Sequence, residues 1–136
     1  MGEEFIMIVD IYNEVYTKLK QELSPTLTLD GYPETTPEFP CVVIEELHNA
    51  NYVESSDSGG DKHSAVSFEV NIFSTQPNKK SKSRKLRKKV DSVLSDFYGM
   101  NRDYAGTLPS FLDNNIYRHT MRYSFVIDKD KKLYRR

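Results

Sequence analysis

Three histidines and one cysteine are the side chains best suited to metal binding or nucleophilic chemistry. His48, His63 and His119 lie far apart, with no histidine four residues from another or beside the cysteine, so no zinc site is indicated. Cys41 follows Pro40 and opens an apolar run, which favours a small buried side chain over a catalytic thiol. A single cysteine also excludes a disulfide within the chain.

Acidic residues and glycines offer little more chemistry. Glu45 and Glu46 are neighbours in a predicted strand, so they point to opposite faces and cannot act as a close acid/base pair. The segment Asp57–Asp61 lacks the alternating ligands and terminal glutamate of a calcium loop. Its glycine pair lacks the lysine and spacing of a phosphate-binding loop. We therefore expect no catalytic residues, no metal and no cofactor.

A dense basic segment is the strongest signal outside the predicted core. It comprises Lys79, Lys80, Lys82, Arg84, Lys85, Arg87, Lys88 and Lys89. In a helix, cations near the N-terminus cost ~0.3–1 kcal/mol each. A solvated helix face, a contact with an acidic protein surface and a nucleic-acid site all remain open. The absence of interleaved aromatic residues disfavours nucleic acid.

The two halves of the chain carry opposite charge, although the net charge is only −1. Residues 1–70 contain 14 acidic and 3 basic residues, a net charge of −11. Residues 71–136 contain 6 acidic and 16 basic residues, a net charge of +10. We expect a molecule with an acidic and a basic side, which can steer partners or stack copies of itself.

The basic residues belong to the second of two predicted helices. Before it, apolar residues alternate through His63–Ser74, which predicts a strand whose Ser67, Glu69 and Asn71 face outward. The helix carries an apolar stripe that ends before Gly99 and comprises Leu86, Val90, Val93, Leu94 and Phe97. We expect Phe97 in the core, so that Phe97→Ala would destabilise the fold by ~3–5 kcal/mol.

The remaining pattern predicts one further helix and four further strands. The helix runs from about Glu4 to Leu23, where Ser24-Pro25 ends it. The predicted strands are Thr26–Leu29, Cys41–Leu47 continuing towards Val53, Tyr104–Leu108 and Tyr117–Ile127. A proline-rich connector before Cys41 is expected along an edge of the fold.

These elements predict an α+β fold. It is a single domain over residues 1–128, with a mostly antiparallel (mixed) sheet of about 4–5 strands and two helices packed on one face. Residues 129–136 form a charged tail that is expected to fray. No stretch has the length or composition of a signal peptide or membrane span, so we expect an intracellular protein without a membrane partner.

A polar loop between the second and third strands is the second candidate interaction element. Its residues are Ser55, Ser56, Asp57, Ser58, Gly59, Gly60 and Asp61. This composition is typical of a flexible loop, and we expect it to become ordered on assembly.

Four segments together resemble a known family. Asp10–Tyr16, Phe39–Glu46, Val66–Ser74 before the basic helix, and Ile116–Arg118 before the last strand are similar to tail terminator, or tail completion, proteins of long-tailed bacteriophages and prophages. The resemblance implies an α/β fold with two helices on a sheet and no catalytic residues.

The same resemblance implies a structural virion protein that acts as a hexameric ring. The ring caps the tail tube and joins it to the head-side connector, so the implied partners are other copies of the chain, the tube protein and the connector. The implied location is the virion tail, and the host cytoplasm during assembly. A head-side neck protein is the alternative within the virion, and a small nucleic-acid-binding adaptor is the alternative from another class.

Overall fold

One mixed sheet carries most of the chain's backbone hydrogen bonds. The computed structural model describes residues 11–51, 63–109, 115–128 and 133–134. The strands are β1 (Leu27–Asp30), β2 (Cys41–Asn51), β3 (His63–Ser74), β4 (Asn101–Leu108), β5 (Tyr117–Asp128) and β6 (Leu133–Tyr134). Their order is β1-β2-β3-β5-β4, and β6 pairs with β5 beyond the end of β4. The expected α+β domain is confirmed.

Two helices pack on one face of this sheet. Helix α1 spans Tyr12–Leu23 and helix α2 spans Lys79–Asp91. The first helix begins at Tyr12 rather than near Glu4, since Ile11 is its N-cap and residues 1–10 lie outside the described part. Its C-terminal end at Ser24-Pro25 agrees with the prediction. Helix α1 packs against β1, and α2 packs against β3 and β5.

The first two strands are parallel, and the other strand pairs of the sheet are antiparallel, in agreement with the predicted mixed sheet. Leu27 lies opposite Cys41, and Asp30 lies opposite Ile44. The connector at residues 31–40 is long enough to return the chain to the start of β1 before β2 begins. It does not follow an edge as expected, because Tyr32 and Phe39 pack on the sheet face opposite the helices.

The main core lies between the helices and the sheet. Val66, Phe68, Val70 and Ile72 of β3 face this core, as their alternation predicted. They meet the buried side chains of Met121, Tyr123 and Phe125 from β5 and those of Val15, Leu19 and Leu23 from α1. Strands β3 and β5 pair over their whole length, from His63 opposite Asp128 to Ser74 opposite Tyr117.

The sheet face opposite the helices is largely covered, which corrects the prediction that Ser67, Glu69 and Asn71 of β3 face outward. Glu69 and Asn71 are buried, and Ser67 is half-buried. The reason is the connector, whose Tyr32 and Phe39 cover a second small cluster of Cys41, Val43, Phe73 and Ile116. The sheet therefore has a large apolar face under the helices and a smaller, partly polar face under the connector.

Phe97 is exposed, so the prediction that it lies in the core is wrong. Its exposed fraction is 63%. The helix widens into a π-helical segment at Ser92–Phe97, where the amide of Tyr98 bonds to the carbonyl of Val93 five residues earlier. This wider turn leaves Val93 and Leu94 buried but turns Phe97 outward, and Tyr98 is buried instead. Gly99, with φ of 74°, ends the helix as predicted.

Several predictions lie outside the described residues. These are the loop containing Ser55–Asp61, the extension of β2 to Val53 and most of the charged tail. In the tail, Leu133 and Tyr134 form strand β6, which pairs with Ile127 and Val126 of β5, so this part of the tail belongs to the sheet. No helix within the described ranges has the length and hydropathy needed to cross a membrane.

Candidate interaction surface

The eight basic residues lie on the side of α2 that faces away from the core. Ser83, Leu86 and Val90 are the buried positions of this helix. The exposed cations are Lys80, Arg84, Lys85, Lys88 and Lys89, and the half-buried ones are Lys79, Lys82 and Arg87. None of the eight forms an ion pair with a carboxylate of the described residues. The helix therefore presents a strongly positive surface whose charges are not neutralised locally.

The beginning of α2 is electrostatically unfavourable. Its first turn contains no acidic residue, and the side chain of Asn78 does not cap the helix. Lys79 and Lys80 instead lie beside the partial positive charge of the helix N-terminus, which costs ~0.3–1 kcal/mol for each cation. Folding gains nothing from this arrangement, which points to a role in binding.

An open cleft adjoins the C-terminal half of α2. Its volume is about 370 Å³. The lining residues are Arg84, Arg87, Lys88 and Asp91 from α2, Arg102 and Ala105 from β4, and His119 and Met121 from β5. Asp91 accepts hydrogen bonds from Arg102 at 3.3 Å and from the Tyr123 hydroxyl at 2.9 Å. The cleft thus combines four cations with a single carboxylate, which is already occupied.

His119 lines this cleft, although no pattern in the sequence predicts that it lies near the basic helix. Its ring Nε2 lies 3.5 Å from Nη1 of Arg87. Burial and the positive charges of Arg87 and Arg102 lower its pKa from 6.5 to about 4, so the ring is neutral at neutral pH. The antiparallel register of β5 turns residues 119, 121, 123 and 125 to the helix side, which is why this histidine meets α2.

The other residues considered for chemistry do not form a reactive group. Cys41 is fully buried, and burial raises the pKa of its thiol to about 11, so it is a small core residue as predicted. The side chains of His48 and His63 lie outside the described part. Among the described residues, no three His, Cys, Asp or Glu side chains converge in a way that could hold a metal ion.

A buried polar network lies on the face covered by the connector. Arg122 binds Glu69 through Nε at 2.8 Å, and the Asn71 amide donates to Glu69 at 3.0 Å and to the Tyr32 hydroxyl at 2.7 Å. Arg118 donates to Asn71 Oδ1 at 2.8 Å. Sequence reasoning missed this network. The signal was the matching two-residue spacing of polar residues in the two long strands, at 69 and 71 and at 118, 120 and 122.

The network attaches the connector to the sheet. The polar groups of the network form hydrogen bonds with one another, so Glu69 and Asn71 can be buried without losing their hydrogen bonds. Arg122 is half-exposed and its guanidinium also lies over the Tyr104 ring, 5.9 Å from its centroid. These polar groups serve the fold, and they leave the α2 surface and its cleft as the candidate functional region.

The charge difference along the sequence becomes a charge difference across the sheet. Strands β1 and β2 carry the carboxylates of Asp30, Glu45 and Glu46, and the connector between these strands carries Glu34 and Glu38. The β5–β4 side carries Arg102, Arg118 and Arg122, with α2 packed above β3 and β5. The strand order places β1 and β2 at one edge of the sheet and β5 and β4 at the other, so these acidic and basic residues lie apart, while Glu69 of the central strand β3 pairs with Arg122 between them.

Exposed apolar side chains occur on both sides as well. Leu27 of β1 and Leu47 of β2 are exposed on the acidic side, and Tyr104 of β4 is 40% exposed on the basic side. Strand β4 has no buried residue, so it projects beyond the layer that the helices cover.

No protein-family model matches the chain, and no curated protein matches it.

Proposed function

We propose that the protein is a structural virion protein of a long-tailed phage or prophage, a tail terminator or tail completion protein. In this role it forms a ring on the end of the tail tube and provides the surface on which the head-side connector docks. The observation that carries the proposal is the strand order, which places acidic residues of β1 and β2 at one edge of the sheet and basic residues of β4 and β5 at the other. The family resemblance of the sequence segments supplies the specific role.

The arrangement of charge supports a head-to-tail contact between copies, and a ring is the closed form of such a contact. In a two-fold dimer the same patch meets itself, so either charged side would face its own kind. In a head-to-tail arrangement the acidic side of one copy meets the basic side of the next, and a closed ring satisfies every copy. Six copies are expected from the resemblance.

Charge alone would not hold such a ring. Exposed ion pairs contribute only ~0–1 kcal/mol each, so apolar contacts must provide most of the affinity. Leu27 on one side and Tyr104 on the other are suitably placed for such contacts. The cations of α2 then set the register and the association rate. This division of roles predicts that salt weakens assembly without abolishing it.

A nucleic-acid-binding adaptor is the second candidate, and the exposed, unpaired cations of α2 favour it. A head-side neck protein would use the same ring contacts and differs only in its neighbours. A mobility shift with duplex DNA at physiological salt tests the adaptor, while particles imaged with and without this protein show whether it lies at the tail end or the head.

Charge reversal with rescue tests the assembly proposal. The exposed residues Lys85, Lys88 and Lys89 changed together to Glu should leave the monomer folded and weaken self-association, more so at low salt. Glu34→Lys with Glu38→Lys, on the acidic side, should weaken it similarly. Sedimentation and negative-stain imaging measure the rings.

Combining the two sets of changes provides the control. If the acidic and basic sides meet, the combined variant regains much of the association that each set alone has lost. If the parent protein forms no rings, or if the triple variant assembles and completes tails normally but loses DNA binding, the assembly proposal is wrong and the adaptor is favoured.

A further inference from the structure

We propose that the cleft between α2, β4 and β5 is a binding site for a phosphate monoester dianion. The site consists of Arg84, Arg87, Lys88, Arg102 and His119, with Ala105 and Met121 as its apolar wall. It shares Lys88 with the basic surface proposed for the ring contacts, but it depends on side chains that converge in one cleft and not on the overall charge of the helix.

Two residues that line the cleft carry unsatisfied donor atoms. Arg87 Nε and His119 Nδ1 are buried from water and have no hydrogen-bond partner. A guanidinium can only donate, so Nε2 of the neutral His119 ring accepts from Arg87 at 3.5 Å and the ring proton lies on Nδ1. Both orphaned atoms are therefore N–H donors. His119 is only 4% exposed, so solvent does not satisfy its ring.

Donors without acceptors indicate an anion and exclude a metal cation. A buried unsatisfied donor is costly, and a ligand oxygen that accepts from it recovers that loss. The surrounding charges agree, because Arg84, Arg87 and Lys88 have no carboxylate partner within the described part of the chain. Arg102 forms an ion pair with Asp91, so the four cations and one carboxylate of the cleft give a net charge of about +3 when His119 is neutral.

The size of this charge favours a phosphate over a carboxylate. One carboxylate would neutralise a third of the excess charge, whereas a phosphate dianion neutralises more and offers several oxygens. Arginine binds phosphate with two parallel N–H donors, and such charge-assisted bonds are stronger than neutral ones. The open cleft of about 370 Å³ accommodates one such group with its substituent directed to solvent.

The experiment is a titration of the full-length protein with inorganic phosphate at constant ionic strength, followed by calorimetry and by the His119 ring signals in NMR. We expect saturable binding of one phosphate per chain. The bound dianion should also raise the His119 pKa from about 4, because an adjacent negative charge favours the imidazolium.

Matched variants separate a built site from general attraction to a basic helix. Arg87→Gln should weaken phosphate binding by about tenfold or more, since it removes a charged donor. Arg84→Gln, at an exposed position, should weaken it as well without any risk to folding. Lys85→Gln removes the same charge from the same helix but lies outside the cleft, so it should change the affinity less than about twofold.

Three results would overturn the proposal. One is the absence of saturable phosphate binding. Another is an equal loss in Lys85→Gln and Arg84→Gln, which would mean diffuse electrostatic attraction. The third is binding of acetate as tightly as phosphate. None of these outcomes bears on ring formation, so this proposal and the proposed function fail separately.

Discussion

His119 is kept neutral at physiological pH by burial and by the charges of Arg87 and Arg102. The unfolded chain binds a proton at this residue near pH 6.5, whereas the folded chain binds it only near pH 4. Between these pH values the unfolded state binds more protons than the folded state. The contribution of neutral His119 to the free energy of unfolding is therefore fully present above pH 6.5 and is lost as the pH is lowered towards 4. We expect a loss of about 1–3 kcal/mol from this residue.

Urea unfolding at pH 7.5, 5.5 and 4.5 measures this loss. His119→Gln lacks the titrating ring, so its stability should fall less over the same range, while the carboxylates, including the neighbouring Asp91, contribute equally to both proteins. Parallel pH profiles for the two proteins would contradict the interpretation.

Phe97 should contribute little to stability, because most of its ring faces water. Its contacts are Nζ of Lys18, 4.5 Å above the ring, and the ring of Tyr98 at 4.9 Å. We expect Phe97→Ala to lower the free energy of unfolding by less than about 1 kcal/mol, whereas Leu94→Ala, fully buried three residues earlier, should lower it by about 2–5 kcal/mol. Denaturant unfolding of the two variants measures the difference, and similar losses would show that Phe97 is in the core.

At the scale of the element, α2 is a helix whose charges oppose its own dipole. Lys80→Glu places a carboxylate in the first turn, removes an unfavourable cation and should stabilise the folded monomer by about 0.5–1.5 kcal/mol. Lys89→Glu is the matched control, because it lies in the middle of the continuous helical stretch from Lys79 to Phe97. Both changes create a pair with a cation four residues away, Arg84 or Lys85, although the acidic residue precedes its partner only in Lys80→Glu, so the difference between the variants reports the helix dipole together with the orientation of the pair.

Thermal unfolding provides that comparison. If Lys80→Glu stabilises the monomer while weakening ring formation, the basic first turn is retained for binding at the expense of stability. Equal shifts in the two variants would show that local ion pairing, and not the helix dipole, determines the result.

The local pattern predicted elements well and their surroundings poorly. The bounds of β3 and the buried side of α2 up to Leu94 follow from periodicity, which is a local property. The burial of Glu69 and Asn71 depends on a connector 30 residues earlier in the chain, and the position of Phe97 depends on a backbone hydrogen bond to Val93. Neither is encoded in the alternation of nearby side chains.

The basic helix was visible in the sequence, but its cleft was not. The cleft needs Arg102 from β4 and His119 from β5, and these meet α2 only because of the strand order. The charged cluster could therefore be predicted as a surface, while its binding geometry required the fold.

At the scale of the whole molecule, the strand order determines where the charged residues of the two halves of the sequence lie on the folded protein. A sheet in which the two halves of the chain alternated would have mixed the charges and left a surface with little net polarity. Here the acidic residues of β1 and β2 and the basic residues of β4 and β5 lie at opposite edges of the sheet, and β4 projects beyond the helices with exposed residues on both faces. The monomer thus has two different lateral surfaces, which is the requirement for a heterologous contact.

The pairing of β3 with β5 also sets the order of events during synthesis. Strand β3 receives its second neighbour only when Asp128 has been made, 54 residues after Ser74. At ~5–20 residues per second, the backbone N–H and C=O groups along this edge of β3 stay without their strand partner for at least roughly 3–11 s. During that interval a nascent chain can accept the last strand of another copy in place of its own, so the rate of translation and the local concentration of nascent chains influence how much protein reaches the correct monomeric fold.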